Sequence, residues 1–195
     1  EMHGESAPIW DCLRPLLQEA AVVCAYPPYG MPLLIVSPSY EDSEVLARQI
    51  FTRIKGARPD GAKFVTIDCR GSLQGGSGFF QQLFGCSKDA APGGRGIRSS
   101  FERSNHGMVF LVGIHRLPEY ILEQLLTAID RQTYCRMGET ASRPLDATLV
   151  LTLPPQNNEE LIVRLNKHIP CIQTVPSLDS RGADEKLELL VGILG

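Results

Sequence analysis

The chain has 195 residues, of which 43% are hydrophobic and 21% charged, enough apolar material for one well-formed core within a single domain spanning 1–195. A formal net charge of -3 excludes general attraction to nucleic acid, which needs a basic face to release counterions, so DNA contact is expected only through domains outside this chain. Six cysteines without a C-x-x-C pair point away from a zinc cluster or a dense disulfide framework, and with no leader or membrane-length apolar run they fit a reducing cytoplasm.

Residues 8 to 20 carry Ile9, Trp10, Leu13, Leu16 and Leu17 at helical spacing, and the Pro-Pro pair and glycine at 27 to 30 mark a turn. "PLLIVS" at 32 to 37 reads as a buried strand, and "EDSEVLARQIFTRI" as a helix whose acidic first turn suits its positive end. A second strand, "KFVTIDC" at 63 to 69, precedes the Gly- and Ser-rich "RGSLQGGSG" and a short helix through Phe80 and Leu83. "GCSKDAAPGGRGIRSS" from 85 to 100 has five glycines or prolines in sixteen residues and reads as a mobile loop. "GMVFLVGI" at 107 to 114 is a third strand, and "LPEYILEQLLTAIDR" places Leu117, Ile121, Leu122, Leu125, Leu126 and Ile129 on one helical stripe. "DATLVLTL" at 146 to 153 and "IPCIQTV" at 169 to 175 complete five strands. Alternating with helices, they predict a three-layer α/β fold around a mostly parallel sheet.

Taken in order, "LLIVSPSYEDSEVLARQIF", "FVTIDC", "QLFGCSK", "FERSNHGMVFLVGIHRLP", "LLTAIDRQTYCRMGE", "DATLVLTL" and "RLNKHIP" resemble the AAA+ domain of sigma-54-dependent transcriptional activators. That resemblance covers nearly the whole chain and implies a P-loop-type AAA+ α/β subdomain, here without the helical lid. It also implies a phosphate loop, Gly-x-x-Gly-x-Gly-Lys, whose backbone N–H groups close on phosphates. Ser37, Tyr40 and Asp42 stand at the glycine positions and Ser43 at the lysine. Val112 and Gly113 stand where the family carries the acids that hold Mg²⁺ and position water, and Pro154 where a sensing Asn ends the fourth strand. Of two arginines that reach a neighbouring subunit's nucleotide, Arg164 remains and Asn158 takes the other position. The loop Gly-Ala-Phe-Thr-Gly-Ala that contacts sigma-54 corresponds to "DAAPGG", with Ala91 and Pro92 at the Phe and Thr positions.

The expectation is a non-catalytic, AAA+-like regulatory and protein-binding module of a bacterial transcription regulator, without a cofactor and unable to activate sigma-54 polymerase by the usual loop. A sensor using the old cleft for a small molecule such as a cyclic dinucleotide, and an unconventional ATPase, are the alternatives. Rings in this family are tied together by shared nucleotide, so a monomer or small oligomer is expected. Lys88, Arg95 and Arg98, with Ala91 and Pro92, form a candidate partner surface; with Arg103 they make a local basic patch for phosphate or an acidic partner, set against a merely solvated segment. His106 and His115 lack a supporting carboxylate or thiol, so no metal is assigned. Cys69 and Cys86 read as buried thiols, "GGSG" at 75 to 78 as a flexible connection, and Phe79 and Phe80 as core.

Overall fold

A computed structural model describes residues 13–26, 28–74, 76–91 and 93–177, side chains at 72–74 and 76 aside. Five strands, β1 (Leu33–Val36), β2 (Phe64–Asp68), β3 (Met108–Val112), β6 (Thr148–Leu153) and β7 (Cys171–Thr174), form one sheet in the order β2-β3-β6-β1-β7. Every neighbouring pair is parallel, with Leu34 opposite Leu151 and Ile172, and Leu111 opposite Ile67 and Leu151. Parallel strands need crossovers, which the helices supply.

The strands alternate between two cores because successive side chains leave opposite faces. Leu33, Ile35, Met108, Phe110, Val112 and Val150 face α1 (Leu13–Ala25) and α2 (Tyr40–Ile54). Leu34, Val109, Leu111, Leu149 and Leu151 face the other way, onto α3 (Gly76–Phe84), α4 (Ser100–Ser104) and α5 (Glu119–Arg131). Each fully buried aliphatic side chain of these strands contributes about 1.5–3 kcal/mol relative to exposure. Leu125 and Ile121 of α5 are both 0% exposed, so the helical stripe read from the sequence is the packed face.

Several boundaries differ from the sequence expectation. The first helix continues past residue 20 to Ala25, because Ala20 and Cys24 extend its buried stripe; its expected start, with Ile9 and Trp10, lies outside the described residues. The glycines of "GGSG" do not form a flexible connection: from Gly76 they make the first turn of α3. The stretch from 85 to 100 is not a free loop. Cys86 and Ile97 exchange two backbone hydrogen bonds of 2.9 Å, and Ser87 N–H donates to the Met137 carbonyl at 2.9 Å. Four short elements went unanticipated: α4, the paired strands β4 (Thr133–Tyr134) and β5 (Arg143–Pro144), and α6 (Glu159–Leu165). Each is shorter than the windows in which periodicity shows. Phe79 is buried and Phe80 packs against the same core, as expected. Residues 178 onward lie outside the described residues, so the expected absence of a helical lid falls outside them too. No described helix is long and apolar enough to cross a membrane.

Candidate functional site

The carboxyl ends of β1, β3 and β6 finish side by side, the edge at which open α/β sheets bind ligands. Ser37 N–H donates to the Leu153 carbonyl at 3.1 Å, and Gly113 N–H to the Thr152 carbonyl at 2.9 Å. The segments carrying Ser37, Gly113 and Pro154, far apart in sequence, therefore meet at one edge.

Between β1 and α2 the chain makes a three-residue connection, Ser37 to Ser39, and then enters the helix. Ser39 is the N-cap: its hydroxyl accepts from Asp42 N–H at 3.2 Å, and its carbonyl accepts from Ser43 N–H at 3.3 Å and from the Ser43 hydroxyl at 2.9 Å. Ser37 Oγ accepts from Ser39 N–H and donates to the Ser39 carbonyl at 2.8 Å. The N–H groups of Asp42 and Ser43 thus already have partners within the chain. Ser37 and Ser43 are 0% exposed, and the Thr152 hydroxyl donates to Ser43 Oγ at 3.1 Å from β6. Asp42 is also buried. A lysine at position 43 would put an aliphatic stem where this buried hydroxyl now meets Thr152 and the Ser39 carbonyl.

Tyr40 opens α2 and reaches toward the end of β3. Its hydroxyl lies 3.5 Å from the position a Cβ would occupy on Gly113. The Arg70 guanidinium sits 4.7 Å from the centre of the Tyr40 ring, and Arg70 pairs with Asp68 through Nη2 at 2.7 Å and Nε at 2.9 Å. This stack joins the ends of β2 and β3 to the first turn of α2. The hydrogen bond from Arg70 holds the Asp68 carboxyl below its usual range, and burial pushes the Tyr40 phenol up against the opposing pull of Arg70. Gly113 has φ +72°, and a Cβ there would come within 2.9 Å of Arg70 Cγ. Its left-handed backbone is one that glycine adopts without steric cost. Val112 points away, into the core beneath α1 and α2.

The remaining landmarks have local partners. Asn158 is the N-cap residue of α6, its amide donating to the carbonyls of Pro154 at 2.9 Å and Gln156 at 3.0 Å. Arg164, on α6, pairs with Glu119 at 2.7 Å and with Glu123, both on α5. Its guanidinium is engaged with its own chain. Lys88, Arg95 and Arg98 are exposed on the segment between α3 and α4, away from this edge in sequence and fold; Ala91 is buried at 8% exposure, and Pro92 lies outside the described residues. A Cβ on Gly138 would lie 2.5 Å from Ala90 Cβ and 2.7 Å from Ser87 Oγ, so the turn at 87–90 packs on Gly138.

His106 lies in a turn and His115 in a short 3-10 helix (Ile114–Arg116), each with a buried Nδ1 that has no hydrogen-bond partner among the described residues, and His106 stacks on Tyr29 with ring centres 5.4 Å apart. Burial holds His115 below its ordinary pKa. Among the described residues no group of three potential metal-binding side chains occurs. Cys69 and Cys86 are buried, and burial raises the Cys69 thiol. Sequence reasoning missed Ser39, Asp68, Arg70 and Thr152. Only Ser39 carried a local signal, a serine three residues ahead of Asp42 at a helix start; the others are brought in by sheet register.

The sigma-54 interaction domain family matches residues 12–165. Two curated relatives match: transcriptional regulatory protein LevR of Bacillus subtilis (strain 168), 28% identical over 187 residues, and transcriptional regulatory protein DagR of Salmonella typhimurium (strain 14028s / SGSC 2262), 23% identical over 188. The matches cover 94% and 93% of this chain but only 20% of each relative, so the chain spans about one fifth of their length. Among solved structures, NtrX from Brucella abortus in complex with ATP superposes with a TM-score of 0.71 at 21% identity, covering 98% of this chain and 42% of that one. The NtrX complex with ADP gives 0.69 at 20% identity, covering 96% and 40%. These likenesses establish the fold. With the family match running through most of the sequence, including the strands that build the edge described above, this chain belongs to the sigma-54 interaction domain family.

Proposed function

We propose that this domain is a non-hydrolysing, partner-binding module of a transcription regulator that keeps the sigma-54 interaction fold without an ATPase site. The observation that carries this reading is the filled edge. The first turn of α2 occupies residues a phosphate loop would use, Ser43 is buried, and the Tyr40–Arg70–Asp68 stack lies over Gly113 where an acid would act. A triphosphate there would have to displace the stack and meet Glu41 and Asp42 without a facing lysine. LevR and DagR are transcriptional regulatory proteins, which supports a regulatory setting. The absence of Phe and Thr from "DAAPGG" and the burial of Ala91 support a role that bypasses the usual sigma-54 loop. Arg164, tied to Glu119 and Glu123, supports a monomer or small oligomer rather than a ring bridged by nucleotide.

NtrX holds ADP and ATP on the same fold, so the test covers both. Calorimetric titration with ATP, ADP and cyclic dinucleotides in Mg²⁺, run beside a phosphate-release assay, is expected to give no turnover and no heat from ATP or ADP. Saturable ATP binding with steady phosphate release would overturn the proposal. Binding of a cyclic dinucleotide alone would make the domain a sensor.

A further inference from the structure

At the other end of the domain, two cavities of about 260 and 440 Å³ adjoin, and Arg98 lines both. The first lies between α4 and the β4–β5 pair, over Phe101 and Tyr134; the second lies against α3, beside Ile97 and Arg103. Arg98 thus lies between them, and together they form one groove. Its walls are fixed: Ser99 and Glu102 form a capping box, the Ser99 and Tyr134 hydroxyls lie 2.7 Å apart, and Arg136 pairs with Glu102 at 2.5 Å. A groove held this firmly loses little freedom on binding.

Its charge is one-sided along one wall. Of the cations without a carboxylate partner among the described residues, Arg98 and Arg103 line the groove, while Lys88 and Arg95 are exposed on the neighbouring 85–98 segment. Arg98 donates to the Glu102 carbonyl at 3.2 Å, and Arg103 to the Gln82 carbonyl at 3.3 Å and Ser100 Oγ at 2.9 Å, all neutral acceptors. The nearby anions are mostly committed. Glu102 is held by Arg136 and Ser99, and Glu139 by Arg143 at 3.0 Å. Asp89 is exposed beside Lys88, and Asp146 lines the first cavity together with Glu102. In a chain of net charge -3, this concentration of unneutralised cations beside exposed Ile97 is local.

We propose that this groove docks an extended acidic segment of a protein partner, its carboxylates over Arg98 and Arg103 and an apolar side chain on Ile97. This rests on the partner-binding reading above and names the chemistry of the partner. Two linked cavities suit an extended chain rather than a compact ligand, and arginine forks match carboxylates in pairs.

The test is fluorescence anisotropy on the 195-residue chain with a labelled peptide of alternating Glu and Leu, a Lys–Leu counterpart and a labelled DNA duplex. The Glu–Leu peptide is expected to bind, with affinity falling as salt rises and falling about tenfold or more in R98E and R103E, while the Lys–Leu peptide does not. Because both arginines make local hydrogen bonds, K88E/R95E is a second variant that spares them, and it is expected to weaken the same peptide. No Glu–Leu binding, equal binding by all variants, or tighter binding of duplex DNA would overturn the proposal. Phosphate release on the same samples keeps the two readings apart: turnover with peptide binding intact removes only the non-hydrolysing role, and neither activity removes only the groove.

Discussion

Replacing Gly113 by Ala tests whether the end of β3 has been rebuilt around its neighbours. A non-glycine residue at φ +72° costs about 1–2 kcal/mol from the left-handed backbone alone. The new Cβ would also stand 2.9 Å from Arg70 Cγ, so Arg70 must move. Arg70 and Asp68 are 49% and 51% exposed, so their ion pair is screened and contributes at most about 1 kcal/mol, and the contact with Tyr40 about 0.5–1 kcal/mol. The total for Gly113→Ala is therefore about 2–3 kcal/mol, lowering Tm by roughly 4–12 °C for a domain of this size. Urea denaturation of the wild type, Gly113→Ala, Arg70→Ala and the double variant forms a cycle. In the Arg70→Ala background the glycine substitution is expected to cost only the backbone part, about 1–2 kcal/mol. A Gly113→Ala variant within about 0.5 kcal/mol of wild type would refute the backbone argument. An equal cost in both backgrounds would refute the contact with Arg70.

Ser99→Ala removes the capping box of α4 and leaves Tyr134 without that partner, so a loss of about 1–2 kcal/mol is expected by urea denaturation, with Ser99→Asn restoring part of it. Thiol labelling under native conditions is expected to modify the exposed Cys135 quickly and to leave Cys24 unmodified until the chain unfolds, since Cys24 is buried and burial pushes its thiol up to about 12. Rapid native labelling of Cys24 would contradict the packing of α1. Burial opposes the charge on Glu102, yet the hydrogen bonds from Arg136 and Ser99 outweigh it and hold the carboxyl below its usual range. A depressed folded-state pKa contributes stability that is present above the unfolded value and lost as pH falls through the folded one. Urea midpoints are therefore expected to drop as pH goes below about 4.5, and Glu102→Gln to flatten that acid limb.

The layered fold was legible because it rests on local patterns. Apolar runs such as "PLLIVS" and "GMVFLVGI" can only be buried strands in a chain that alternates them with amphipathic segments, and the α5 stripe repeats at helical spacing. What the residues between β1 and α2 do was not legible. Ser43 is an ordinary serine in the sequence; only the sheet register, which sets β6 beside β1, brings Thr152 to its hydroxyl. Arg164 reads in the sequence as an arginine for a neighbouring subunit, whereas the packing of α6 on α5 pairs it with Glu119 and Glu123. The glycine-rich segment from 85 to 100 reads as loop because its composition lacks periodicity, yet Cys86 pins it through backbone bonds that any side chain would permit.

Sequence by itself determined the sheet, its two apolar faces and the family, because burial depends on the spacing of apolar residues along the chain. Tertiary structure alone decided that Tyr40, Arg70 and Asp68 come together over Gly113 and that Arg98 and Arg103, without carboxylate partners among the described residues, border a groove. Those arrangements depend on which strand ends and helix faces become neighbours in space, and contacts between residues distant in sequence leave no periodic mark in it.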